Sequence, residues 1–259
     1  MAFFENGNLR THYEVEGDDK APWLILSNSL GTQLDMWAPQ MPALLKHFRV
    51  LRYDTRGHGQ SSVTPGPYTI AQLGGDVIAL MDHLNIGRAH FCGLSMGGMI
   101  GMWLGAERPD RIEKLVLANT AAKIGAPELW NTRIGKVDSE GMAPIVQGVL
   151  DRWFTQDYLQ RAQQEIVPVS KMLLATPPAG YTANCAAVRD HDQREGLGGI
   201  KAPTLVIGGT HDLATPPQDS RLVAERIPGA RYVELPAAHL SNWERPQEFT
   251  EQVIGFLTK

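Results

Sequence analysis

The sequence predicts an α/β fold in which a mostly parallel sheet is flanked by helices and interrupted once by a helical insertion. Through the first half, short β-rich apolar runs alternate with helical patterns, as parallel strands joined by helical crossovers require. Between residues 122 and 199 the strand signal disappears, and it returns near residue 204.

Each element has its own signal. Residues 24–26, 50–53, 90–94 and 115–117 read as strands buried on both faces, because their apolar runs are continuous rather than alternating. Residues 70–84 and 96–107 read as the helices between them, and Arg108-Pro109 ends the second. Inside the insertion, helix-like stretches around 144–154 and 158–165 are separated by Gly and Pro. Strands are predicted again at 204–207 and 232–235, with a helical stretch over 217–226 between them and a closing helix over 247–257 behind Pro246. The predicted division is a core domain of residues 1–121 and 200–259 and a helical cap of residues 122–199. The first 17 residues mix Glu5, Arg10, Glu14 and Glu16 with short apolar stretches and receive no element.

Hydrophobic residues make up 43% of the 259-residue chain and charged residues 20%, enough to bury a full core and no compositional sign of disorder. A formal net charge of -4 and a pI near 6.1 provide no basic field to gather phosphates, so no nucleic acid partner is expected. No apolar run is long enough to span a bilayer, and the N-terminal stretch lacks the charged-then-apolar layout of a secretory signal, so no membrane partner is expected. Cys92 and Cys185 form neither a disulfide framework nor a zinc-ligand spacing, which points to a reducing cytoplasm. A homo-oligomer is compatible with all of this.

Chemistry enters at Gly93-Leu94-Ser95-Met96-Gly97, a G-x-S-x-G sequence that follows a predicted strand and opens a predicted helix. A strand-to-helix turn this tight forces the serine into a strained backbone conformation, and small neighbours at Gly93, Gly97 and Gly98 give the room it needs. The turn also aims the Met96 N–H, at a helix N-terminus, toward an oxygen that becomes negative during attack. A glycine-rich turn with a capping serine is the plainer alternative.

A serine hydroxyl needs an imidazole to take its proton and a carboxylate to fix the imidazole's tautomer. In a nucleophile-elbow fold the chain order is serine, acid, histidine, the last two on loops after late strands. His239, just beyond residues 232–235, and Asp212, just beyond 205–209, fit that order. Singly, Asp212 has an alternative reading as a turn residue and His239 as a solvated loop histidine; together, downstream of the elbow, they make a triad with Ser95. His211 adjoins the acid and precedes it, and His58 lies before the serine and is assigned to a turn. The second oxyanion donor is expected from Asn28-Ser29-Leu30-Gly31, as the Leu30 N–H.

Longer stretches narrow the reading. Asp54-Thr55-Arg56-Gly57-His58-Gly59, Gly66-Pro67-Tyr68-Thr69-Ile70, Gly93-Leu94-Ser95-Met96-Gly97-Gly98-Met99-Ile100 and Gly208-Gly209-Thr210-His211-Asp212 make the chain similar to the α/β-hydrolases over nearly its whole length. Within that family these stretches resemble the bacterial 3-oxoadipate enol-lactonases, although many relatives carry His-Gly where this chain has Asn28-Ser29. The resemblance implies an eight-stranded sheet and carboxylic ester hydrolase activity without metal or organic cofactor. It also implies a small anionic lactone as substrate, opened to 3-oxoadipate in the β-ketoadipate pathway of protocatechuate or catechol breakdown.

A substrate carboxylate entering a capped pocket must be paired, since a bare buried anion is costly. Arg133, beside Trp130, is the candidate partner, with Trp130 and Trp153 as pocket walls. The alternatives are an exposed cap arginine and two tryptophans that only pack the cap. The same triad also suits a carboxylesterase or a carbon–carbon bond hydrolase, and a catalytically weak ligand receptor is the reading from another class.

Overall fold

The computed structural model describes residues 2–259; Met1, the first residue of the predicted core domain, lies outside them. Eight strands form one sheet: β1 (Ala2–Asn6), β2 (Leu9–Glu16), β3 (Trp23–Ser27), β4 (Arg49–Tyr53), β5 (Ala89–Leu94), β6 (Ile112–Ala118), β7 (Thr204–Gly209) and β8 (Arg231–Leu235). Their spatial order is β1-β2-β4-β3-β5-β6-β7-β8. From β4 to β8 all pairs are parallel, and the β1–β2 hairpin is added antiparallel at one edge.

The helices are α1 (Met41–Leu44), α2 (Ile70–His83), α3 (Met96–Glu107), α4 (Pro127–Glu140), α5 (Ala143–Trp153), α6 (Gln156–Arg161), α7 (Gln163–Ala175), α8 (Pro178–Asp190), α9 (Pro217–Arg226), α10 (Ser241–Glu244) and α11 (Pro246–Leu257). Alternate strand residues feed two separate cores. Ile25, Phe91, Leu115, Leu117 and Val206 pack with α2 and α3 on one face. Leu24, Leu26, Cys92, Val116, Leu205 and Ile207 pack with α1 and α11 on the other. Both faces being covered is why the central strands read as unbroken apolar runs.

The hairpin β1–β2 went unassigned in the sequence because its apolar pattern is diluted by charge. Glu5 stands opposite Arg10 across the pair, as befits an edge exposed to water. A signal was present: Asn6-Gly7 precedes β2, and Gly7 takes a left-handed φ of 61°, the conformation a tight hairpin turn demands.

All five helices between β6 and β7 fall within residues 122–199. The stretch expected as one helix over 158–165 is divided at Ala162 (φ -119°, ψ 35°) into α6 and α7. Pro168 lies inside α7. Burial of Ile166, Val169, Met172 and Leu173 in the second core offsets the hydrogen bond that the proline removes. Helix α4 carried little apolar signal, since it buries only Trp130 and Val137.

Candidate active site

The parallel register puts the C-terminal ends of β3, β5, β6, β7 and β8 side by side. Ser27 pairs with Gly93, Leu94 with Ala118, Ala118 with Ile207 and Gly209 with Leu235. The residues that follow these strands therefore meet at one edge of the sheet, where open α/β sheets collect ligands.

Ser95 sits between β5 and α3 with φ 59° and ψ -116°, a conformation that costs an L-residue energy and persists only when its surroundings enforce it. They do so by proximity. A side chain at Gly93 would overlap the Gly97 carbonyl, and one at Gly97 would overlap the Ser27 carbonyl, so helix α3 enters against β3 and β5 with no space for a methyl group. The Ser95 N–H donates to the Ala118 carbonyl at 2.9 Å and the Gly97 N–H to the Asn28 carbonyl at 3.0 Å. Among the described residues no acceptor is bonded to the N–H of Met96 or of Leu30. Those are the two groups expected to face an oxyanion.

His239 follows β8, and its Nδ1 lies 2.8 Å from Asp212 Oδ2, both side chains being almost fully buried. Asp212 Oδ1 accepts the Ala214 and Thr215 N–H groups at 2.8 and 2.9 Å. Its Oδ2 also accepts the Thr215 hydroxyl at 2.8 Å and the Asn119 amide at 3.0 Å. Burial works to raise the Asp212 carboxyl, but His239 and these donors outweigh it and hold the group below the usual carboxylate range. Asp212 is thus a fixed anion at neutral pH, with His239 turned toward it. His211, next in sequence, is exposed.

Ser95 and His239 line the same cavity of about 270 Å³, together with Leu30, Trp130, Arg133, Trp153 and Tyr181. Both tryptophans are buried. The Trp130 indole N–H is spent on the Ile124 carbonyl at 2.6 Å, which leaves its ring as a wall, and Arg133 lies over that ring at 4.8 Å. The Trp153 ring lies 6.2 Å from that of His239. The sequence reading missed Arg152, which also lines the cavity. Among the described residues neither arginine has an ion pair. Burial, then the nearby Arg133, lower the pKa of Arg152. Nearby Asp151 works the other way on Arg152, but it does not line the cavity, so among the described residues two half-buried cations share one small cavity with no carboxylate in its wall. No spacing rule could have paired them, because α4 and α5 meet only through their tertiary packing.

His58 lies in a turn, as expected, with its N–H bonded to the Thr55 carbonyl at 2.8 Å; it is fully buried and braces the loop after β3, its Nε2 accepting the Gly31 N–H at 2.8 Å. That bond requires a bare Nε2, so the ring proton is on Nδ1, facing the Arg56 carbonyl at 3.4 Å. Burial pushes His58 down from 6.5 to about 4, against the opposing pull of that carbonyl. The unfolded chain then takes up this proton near its ordinary pKa and the folded chain only near the lower one. Folded stability is complete above pH 6.5 and declines as pH falls toward 4. A gap of that size corresponds to about 3 kcal/mol. His58→Gln, which keeps an acceptor for Gly31, is expected to lose less Tm than the parent between neutral pH and the acid end of that window. Parallel Tm curves for the two proteins would contradict it.

The sequence profile of the alpha/beta hydrolase fold family matches residues 22–246. The chain is 43% identical to 3-oxoadipate enol-lactonase 2 of Acinetobacter baylyi over 252 residues, covering 97% of this chain and 94% of that protein. It is 33% identical to a putative carbamate hydrolase of a Caulobacter species, covering 95% of each chain. Among solved structures, the enol-lactonase from Burkholderia xenovorans superposes with a TM-score of 0.98 at 52% identity, covering 100% of both chains.

Proposed function

The chain belongs to the α/β-hydrolase family, and from that premise we propose that it opens the ring of 3-oxoadipate enol-lactone, giving 3-oxoadipate through an acyl-enzyme on Ser95. The observation that carries the reading is a convergence. A serine held in a strained turn and a histidine fixed by a buried carboxylate line one capped cavity.

In this scheme His239 takes the proton from the Ser95 hydroxyl as its oxygen attacks the lactone carbonyl. Asp212 stabilises the resulting imidazolium, and the Leu30 and Met96 N–H groups receive the developing oxyanion. Collapse breaks the bond from the acyl carbon to the ring oxygen, which leaves as an enolate and then takes the proton from His239 to become the enol. An enol is a better leaving group than a simple alkoxide, so His239 acts chiefly as a base in this half. Water deprotonated by His239 then attacks the acyl carbon, Ser95 recovers its proton, and the enol tautomerises to the ketone.

The substrate carboxylate would lie between Arg133 and Arg152, where it supplies the counter-ion that the cavity lacks. Ultraviolet absorbance with purified protein and 3-oxoadipate enol-lactone tests the substrate directly, beside neutral lactones and aryl esters. The anionic lactone should give the highest kcat/KM, and faster turnover of the neutral esters would favour a carboxylesterase instead. Arg133→Ala and Arg152→Ala should each raise KM for the anionic lactone about 10- to 100-fold, the loss expected for a charged hydrogen bond, while neutral esters change less than about threefold. Equal losses on both substrates would remove the arginines from carboxylate binding.

A further inference from the structure

Between the elbow and the acid lies a dipeptide that the scheme above does not use, Asn119-Thr120, directly after β6. It touches every element that carries a reacting group. The Asn119 Nδ2 donates to Asp212 Oδ2 at 3.0 Å and to the Ala238 carbonyl, next to His239, at 3.1 Å. The Thr120 hydroxyl donates to the Ser95 carbonyl at 2.7 Å.

The amide has one possible orientation. A carboxylate and a carbonyl can only accept, so both must face the nitrogen, and the Asn119 oxygen accepts the Ser241 hydroxyl at 2.5 Å. Both amide protons are therefore spent, one on the acid and one on the loop carrying the base. Asn119 is fully buried, with a left-handed φ of 44° that asparagine tolerates better than most residues. Its own N–H is anchored to the Ile207 carbonyl at 2.8 Å. An ordinary strand-end residue needs none of this.

We infer that Asn119 and Thr120 are the positioning residues of the catalytic triad: Asn119 sets the distance between acid and base and moderates the charge on Asp212, while Thr120 fixes the backbone of the nucleophile. The inference rests on the proposed serine mechanism. Asp212 Oδ2 divides its negative charge among three donors, and loss of the Asn119 donor leaves more of it for the His239 imidazolium.

The test is the pH profile of kcat and kcat/KM for p-nitrophenyl acetate, measured on the full-length parent, Asn119→Ala, Thr120→Val, Ser241→Ala and Ser95→Ala, with thermal unfolding of each. Asn119→Ala should lose about 10- to 100-fold in kcat, as expected for a hydrogen bond to a charge, with KM within about threefold. Its acid limb in kcat/KM should move to higher pH by about half a unit or more. Ser241→Ala should move the limb in the same direction by less. Thr120→Val, which touches only a neutral carbonyl, should lose roughly 3- to 10-fold in kcat with the limb unmoved. An Asn119→Ala limb that stays in place or moves to lower pH, or a kcat loss no larger than the unfolded fraction, overturns the inference while an inactive Ser95→Ala keeps the serine mechanism. Full activity in Ser95→Ala overturns that mechanism and this inference with it.

Discussion

Ser95→Ala is expected to lower kcat on the enol-lactone and on activated aryl esters by about 10⁵- to 10⁶-fold, with KM within about threefold. The acyl-enzyme route has no other nucleophile, so the variant keeps only what the oxyanion donors and cavity give to direct attack by water. Alanine accepts the same backbone strain, because the close backbone packing that enforces it involves Gly93, Gly97 and the Ser27 carbonyl rather than the hydroxyl. The variant should therefore unfold within a few degrees of the parent, which separates loss of chemistry from loss of fold. Retention of more than about a tenth of parental kcat would remove Ser95 from the nucleophile's role.

The second large effect is Asp212→Asn, for which a drop of about 10⁴-fold in kcat is expected. The reason lies in the donors around the carboxylate. Two fixed backbone N–H groups, from Ala214 and Thr215, hold Oδ1, so an introduced amide would keep its oxygen there and turn its NH₂ toward His239. His239 Nδ1 must then accept, its proton moves to Nε2, and the nitrogen needed to take the proton from Ser95 is blocked. The same NH₂ would also face the Asn119 amide, donor against donor, so some stability is lost as well. Nitrogen chemical shifts of His239 report the tautomer: proton on Nδ1 in the parent and on Nε2 in the variant. An unchanged tautomer together with a large kcat loss would require a different account of Asp212.

Much of the fold was legible because its signals are local. Helix α3 begins at Met96 and ends at Glu107, and α9 runs from Pro217 to Arg226, the bounds expected from apolar spacing, proline placement and the elbow motif. The edge hairpin escaped notice because cross-strand pairing, not residue type, makes Glu5 and Arg10 suitable neighbours. Helix α7 continues through Pro168 because burial of the surrounding apolar residues outweighs the lost bond. In the cavity, Arg133 could be singled out by its neighbour Trp130, whereas Arg152 carries no local mark at all.

The proposed triad, Ser95, Asp212 and His239, was legible in the sequence itself, since chain order and position after apolar runs are one-dimensional properties. What only tertiary structure decided is which side chains stand around them. Asn119 reaches Asp212 across 93 positions and His58 reaches Gly31 across 27, while two arginines from different helices turn into one cavity. Hydrogen bonds and charge pairing depend on distances of about 3 Å, and such distances are fixed by strand register and helix packing rather than by any spacing along the chain.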